Sequence, residues 1–201
     1  MPRQRFFNLT DEKRQRIVSA AIRELSNVSV DNLSINKIIK DAEIPRGSFY
    51  EYFEDKFDLV DYILDDFRVQ MINYCEKCLD EVGGNIFALF ENLFSFVLNF
   101  ATEKNRFKVF QNIFSCMKYA EFNNFDSIFS ERNNLVDKLY EKLNLSNMNV
   151  KSKQDLLCLV DILLGIFKSE IVITFMNKID LESSKKMFCK KLNMLKNGVY
   201  A

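Results

Sequence analysis

Proline occurs at positions 2 and 45 and nowhere else, so everything after Pro45 runs without the residue that most firmly interrupts a helix. Along that stretch apolar residues recur at three- and four-residue intervals between short polar breaks, the spacing of helices that bury one face. The predicted class is therefore all-α. A first helix is expected over 10–26, with Thr10 as its cap, Asp11 and Glu12 at its positive end, and Ile17, Ala21, Ile22 and Leu25 facing inward. A long helix is expected over 55–81, with Leu59, Tyr62, Ile63, Phe67 and Met71 on one side and Gly83-Gly84 ending it. Further helices read over 85–102, 105–119, 125–143, 151–177 and 181–196.

Residues 34–56, SINKIIKDAEIPRGSFYEYFEDK, read as two short helices joined by a tight turn. Ser34 is a capping residue, and Ile35, Ile38, Ile39 and Ala42 follow it on one face. The second helix is expected to begin at Pro45, which loses no intrahelical bond at a first helical position. Phe49 and Phe53 then point to a core, leaving Arg46, Gly47, Ser48, Tyr50 and Tyr52 on the outer side and the leading end. A helix-turn-helix presents base-reading side chains in that way. Arg46 is the leading base reader, because a guanidinium bonds guanine O6 and N7 together; Ser48 is a more permissive second, and Gly47 allows close backbone approach.

The run from Ala42 through Arg46-Gly47-Ser48-Phe49-Tyr50-Glu51-Tyr52-Phe53-Glu54-Asp55-Lys56 resembles the DNA-binding segment of TetR-type transcriptional repressors, and the match extends back through Arg16-Ile17-Val18-Ser19-Ala20-Ala21. The resemblance implies an N-terminal three-helix DNA-binding domain over 1–54 and a helical effector-binding and dimerisation domain over 55–201. It also implies phosphate contacts from Tyr50, Tyr52, Lys56 and the amino end of the Ser34 helix. The alternatives are packing roles for the two tyrosines and a solvated charge for Lys56. Glu43 stands where the family usually has glycine, and Pro45 where it usually has serine. A positive φ at Glu43 costs about 1 kcal/mol.

The formal net charge is zero, so a DNA site has to be a local patch rather than a global field. Arg3, Arg5, Lys13, Arg14, Arg16 and Arg23, opposed only by Asp11 and Glu12, make the amino-terminal stretch the expected phosphate-contacting arm. The chain has no histidine, which removes the commonest general base and the usual nitrogen ligand of transition metals. No glycine-rich phosphate loop or paired-acid motif is visible, so neither an enzyme nor a cofactor is expected. Cys75 and Cys78 form a lone C-x-x-C with no second pair, which reads as two helical side chains rather than a metal site. No uncharged run reaches the length of a bilayer span, so a cytoplasmic protein without membrane contact is expected.

The helix over 151–177 is apolar around most of its circumference, which a one-sided core does not use. Gly165 and Ser169, one turn apart beside Ile162 and Ile166, would let another helix approach closely, and Met187, Phe188 and Leu192 lie on the next helix. A four-helix homodimer interface is expected, as the resemblance also implies; the alternative is a central helix buried within one monomer. The phenylalanine-rich middle suggests an apolar cavity for a hydrophobic small-molecule effector. Its expected lining is Phe67, Met71, Phe90, Phe94, Phe110, Phe114 and Phe167, with Asn112 or Glu170 as polar anchor. Double-stranded DNA, the effector and a second copy of the chain are thus the expected partners. The competing reading is a helical apolar-ligand or partner-binding dimer that does not touch DNA.

Overall fold

The computed structural model describes residues 2–102, 106–114, 140–145, 148–177 and 179–199, and every regular element among them is helical. In chain order these are α1 (Gln4–Phe7), α2 (Asp11–Leu25), a 3-10 turn (Val30–Asn32), α3 (Ile35–Asp41), α4 (Arg46–Tyr52), α5 (Lys56–Glu81), α6 (Ile86–Thr102), α7 (Phe107–Phe114), α8 (Lys153–Met176) and α9 (Leu181–Val199). The helix expected over 125–143 lies outside the described residues except at its end, where 140–142 are helical. The chain divides into two compact units, Met1–Val69 with Glu103–Met117, and Gln70–Thr102 with Lys118–Ala201.

In the first unit, short helices are started by polar caps and held by burial. The Thr10 side chain accepts from the Lys13 amide and caps α2, and the Ser34 side chain accepts from the Lys37 amide and caps α3. Ile17, Ala21, Leu25, Ile38, Ala42, Phe49, Phe53 and Leu59 are each 0% exposed and form one core. Each isoleucine, leucine or phenylalanine so buried contributes about 1.5–3 kcal/mol, and each alanine less. Ile22, expected inward, is 38% exposed, because α2 turns Glu24 to the covered side instead. That carboxylate is stabilised there by the Lys37 ammonium of α3, 3.3 Å away. Between α3 and α4, Glu43 has φ 54°, so the turn does require the left-handed conformation that glycine would adopt more cheaply. Pro45 occupies the cap position with extended backbone, and α4 begins one residue later than expected, at Arg46. α7 closes this unit: Asn112 Nδ2 donates to the Leu25 carbonyl at 2.7 Å, and the Phe110 ring meets Phe67 edge-on at 5.3 Å.

The second unit is built on aromatic rings. Phe94 of α6 stacks on Phe188 of α9 with centroids 4.2 Å apart, and Phe167 of α8 meets both edge-on at 5.9 Å. Ser152 caps α8 by accepting from the Asp155 amide, while Asp155 accepts from the Lys151 amide at 2.9 Å. The Lys151 amide, followed by the Ser152 hydroxyl, favours the ionised carboxylate and holds Asp155 below its usual range. α5 ends where Gly83 and Gly84 adopt φ of 58° and 78°. A Cβ on Gly84 would lie 2.6 Å from the Asn144 amide nitrogen and from the Lys142 carbonyl oxygen, so the segment over 142–144 crosses directly against this turn.

Two contrasts follow for urea unfolding of the whole chain. Gly84→Ala meets backbone on two sides as well as a left-handed φ, and should cost at least about 2 kcal/mol. Gly83→Ala, with nothing within 4 Å of its Cβ, should cost only about 1 kcal/mol. Phe188→Ala should cost about 3–5 kcal/mol by opening the ring cluster. Equal effects of the two glycine substitutions would show that the crossing at Gly84 is not tight.

Candidate nucleic-acid interface

α4 is too short to persist alone, and its inner residues decide which side faces out. Phe49 and the following Phe53 are 0% exposed, with ring centroids 5.4 Å apart. The helical repeat then turns Arg46, Gly47 and Tyr50 to solvent, with Ser48 half-buried between them. Arg46 stands at the first helical position and has no hydrogen bond or ion pair among the described residues. A Cβ at Gly47 would meet nothing within 4 Å, so the fold makes no demand for glycine there and the bare backbone is presented outward. Tyr50 is 44% exposed, its ring edge against Phe49.

Tyr52 departs from expectation. It is 6% exposed, covered by Phe6 at 6.1 Å between ring centroids and by the Lys13 ammonium 6.0 Å over its ring. The physical reason is α1, an element not expected from the sequence, which lies against the end of α4. Lys56 is half-buried, and its ammonium donates to the Asp31 carbonyl, which uses one of its three donors. Ser34 acts as the cap of α3.

The basic amino-terminal stretch is not a frayed arm. Arg5 pairs with Glu51, Arg14 with Asp11, Arg16 with Glu43 at 3.3 Å, and Arg23 with Asp41 at 4.0 Å. Pairs as exposed as these contribute about 0–1 kcal/mol each, so a phosphate can compete for the same guanidinium groups. Glu51, Glu43 and Asp41 were missed as partners in sequence because they lie far along the chain, on α3, α4 and the turn between them; the Phe6-Phe7 pair is too short a signal to show that the segment folds back.

The residues expected around an effector fall in both units. Phe67, Phe110, Asn112 and Phe114 belong to the first, and Met71, Phe90, Phe94, Phe167 and Glu170 to the second. The rings and Met71 are buried, none more than 4% exposed. Neither expected polar anchor is idle: Asn112 holds the Leu25 carbonyl, and Glu170 is ion-paired with Lys191. Asn92 is held more weakly, donating to the Cys78 sulfur at 3.3 Å. Burial, with the Cys78 sulfur and the Glu76 carboxylate beside it, pushes the Cys75 thiol up to about 11, which leaves little nucleophilic thiolate near neutral pH. No group of three metal-ligating side chains occurs among the described residues.

Of the expected dimer surface, Ile162 is 50% exposed and Met187 47% exposed; Gly165 is exposed, and Ile166 and Ser169 are half-buried. Phe188 and Leu192 are different. Each is 0% exposed within the single chain, Phe188 against the rings of Phe94 and Phe167, and they are core rather than surface. Met194 at 70% and Met176 at 49% extend the exposed apolar set instead. No single helix among the described residues is long and apolar enough to cross a membrane.

Known proteins resemble the chain in both sequence and fold. An HTH-type transcriptional regulator of Staphylococcus aureus (strain USA300) is 32% identical over 74 residues, a match covering 37% of this chain and 40% of that protein. Two solved structures share the fold. A TetR-family transcriptional regulator from Streptomyces coelicolor has a TM-score of 0.62 at 15% identity, over 98% of this chain and 94% of that one. The transcriptional regulator FadR from Bacillus subtilis, in complex with stearoyl-CoA, has a TM-score of 0.61 at 16% identity, over 89% and 96%. The model of the tetracyclin repressor-like C-terminal domain matches residues 85–199, and that of bacterial regulatory proteins of the tetR family matches residues 17–63. The chain is therefore a member of the tetR family of bacterial regulatory proteins.

Proposed function

We propose that the protein is a cytoplasmic homodimeric repressor that covers a pseudo-palindromic operator and is released from it by a hydrophobic small molecule. The observation that carries the reading is the division of α4 into a buried side, Phe49, and an outward side, Arg46, Gly47 and Tyr50. Arg46 bonds guanine O6 and N7, with Ser48 as the second reader and Gly47 admitting the backbone close to the groove. Tyr50, Lys56 and the amino end of α3 hold phosphates and fix the docking angle; Tyr52 supports them from beneath.

A recognition helix of seven residues offers few contacts. Two copies about 34 Å apart reach successive major-groove turns on one side of the duplex, which is why the operator is a pseudo-palindrome. The surface that pairs the copies is the apolar stripe Ile162, Gly165, Ser169 and Met176 on α8, joined by Met187 and Met194 on α9. Gly165 fits this role, since a Cβ there would meet nothing within 4 Å in the single chain.

For the effector, the lining is drawn from Met71, Phe90, Phe94 and Phe167, all buried. A long apolar chain matches that lining, and the stearoyl-CoA complex of the FadR neighbour supports the same class. Passing from almost fully bound to almost fully free needs about 5.5 kcal/mol of differential effector affinity between the two forms.

Selection of duplexes from a random pool should enrich a two-fold sequence. Arg46→Ala should weaken binding to it by about 1–3 kcal/mol per half-site and relax the preference at one base pair. Failure of the intact chain to enrich any sequence at low salt would sink the repressor reading. In sedimentation, Ile162→Glu should shift the dimer to monomer and lower operator affinity. A dimer unchanged by a charge at that position would place the interface elsewhere.

A further inference from the structure

α1 is a single helical turn, too short to hold its own shape. It is nevertheless fastened at three points. Phe6 is 0% exposed, with its ring 4.8 Å from Phe53 and 4.9 Å from Tyr62. The Arg3 amide donates to the Tyr52 carbonyl at 2.8 Å, and Arg14 donates to the Phe7 carbonyl at 2.7 Å. Two of these anchors are the last residue of α4 and the residue after it. Arg3 and Arg5 therefore project as exposed guanidinium groups from a fixed position beside the carboxyl end of α4.

Arg5 does not stand free. Its Nη1 lies 3.1 Å from Glu51 Oε1 on α4, with the two side chains 69% and 53% exposed. An ion pair that wet contributes at most about 1 kcal/mol, whereas a phosphate that takes over the guanidinium also releases a condensed counterion. The geometry along α4 suits such an exchange. At about 1.5 Å rise per residue, Tyr52 lies about 9 Å along the axis from Arg46, roughly two to three base-pair steps. With Arg46 at base edges, the carboxyl end reaches the phosphates that border the groove.

We propose that α1 is a further element of the DNA reader: Arg3 and Arg5 bind two backbone phosphates flanking each half-site, and Glu51 is an internal competitor that holds Arg5 until DNA replaces it. The inference rests on the DNA-binding reading above, but its two arginines lie outside residues 17–63, the segment that the tetR-family model matches. Glu51 accordingly tunes affinity without reading sequence, and its charge lowers non-specific binding most where salt is low.

The test uses the full chain and its selected operator, with fluorescence anisotropy across a salt series. The double substitution Arg3→Ala, Arg5→Ala removes only exposed side chains and keeps Phe6, so the melting temperature should be unchanged. Affinity should fall about ten- to a hundredfold, and the slope of log K against log salt should shrink by about 1.8 per chain, with the consensus preserved. Glu51→Gln should tighten binding several-fold in the presence of Arg5 and clearly less in Arg5→Ala, where only the repulsion between Glu51 and the phosphates is relieved. If the double substitution leaves slope and affinity as they were while Arg46→Ala still weakens binding, the inference falls and the DNA-binding reading stands. A loss confined to A·T-rich flanks would move the two arginines from phosphates to the minor groove and overturn the phosphate assignment. An intact chain that selects no duplex overturns both.

Discussion

The fold of the first unit depends on the burial of two rings, Phe49 within the seven-residue helix α4 and Phe53 immediately after it. A seven-residue helix does not form in water by propensity, so α4 exists because its inner side is covered. That covering fixes the rotation of α4 about its own axis, and the rotation decides that Arg46, Gly47 and Tyr50 are presented outward. The rings also recruit Phe6, and through it α1, to the same core. A loss of packing there would disturb the outward set Arg46, Gly47 and Tyr50, the proposed reading surface, before it disturbed the rest of the fold.

Charge in this unit is balanced pair by pair rather than separated into a strongly basic face. Arg5, Arg14, Arg16, Arg23 and Lys37 each have a carboxylate partner, most of them well exposed to solvent. Solvent screens such pairs, so they contribute little stability, but they reduce the field that would attract any polyanion. Arg46 lies outside this pairing. On the proposed reading, such a charge distribution takes discrimination from a few oriented groups and gives up part of the undirected attraction that holds proteins anywhere along DNA. Arg16 shows the cost of the arrangement: its partner Glu43 sits in the left-handed turn at φ 54°, so a residue that strains the backbone also holds a nearby cation.

Much of this was legible in the residues. Caps at Thr10 and Ser34, the inward Phe49 and Phe53, the glycine pair after α5 and the positive φ at Glu43 are local properties, set by a few neighbouring side chains. The errors share a different cause. Ile22, Tyr52, Phe188 and Leu192 lie on helices with more than one apolar stripe, and periodicity gives the stripes without saying which neighbour covers each. On α9, Met187 and Phe188 are adjacent in sequence, yet one is 47% exposed and the other 0%, decided by the ring of Phe94 from α6. Likewise Tyr52 is covered by a helix whose four residues carry too little pattern to announce it. Asn112 and Glu170 looked like polar anchors because an isolated polar residue in an apolar run has no visible partner until Leu25 and Lys191 are brought to it.

The Glu170–Lys191 pair bears on the second unit in a more general way. The carboxylate is 2% exposed, and its desolvation offsets much of the attraction it gains, so the pair is a poor source of stability compared with two well-packed apolar side chains. It does discriminate between registers. Sliding α9 along α8 by one turn would leave a buried charge unpaired, and it would also separate Thr174 from Ser184, which are in hydrogen-bond contact. Such a slip would move Met187 and Met194 relative to the stripe of Ile162, Gly165 and Met176 that the proposed dimer uses. Apolar contacts alone tolerate that displacement, since one methionine or leucine replaces another at little cost. The directional pair does not, so the polar groups inside this aromatic core set the alignment of the surface that two copies have to share.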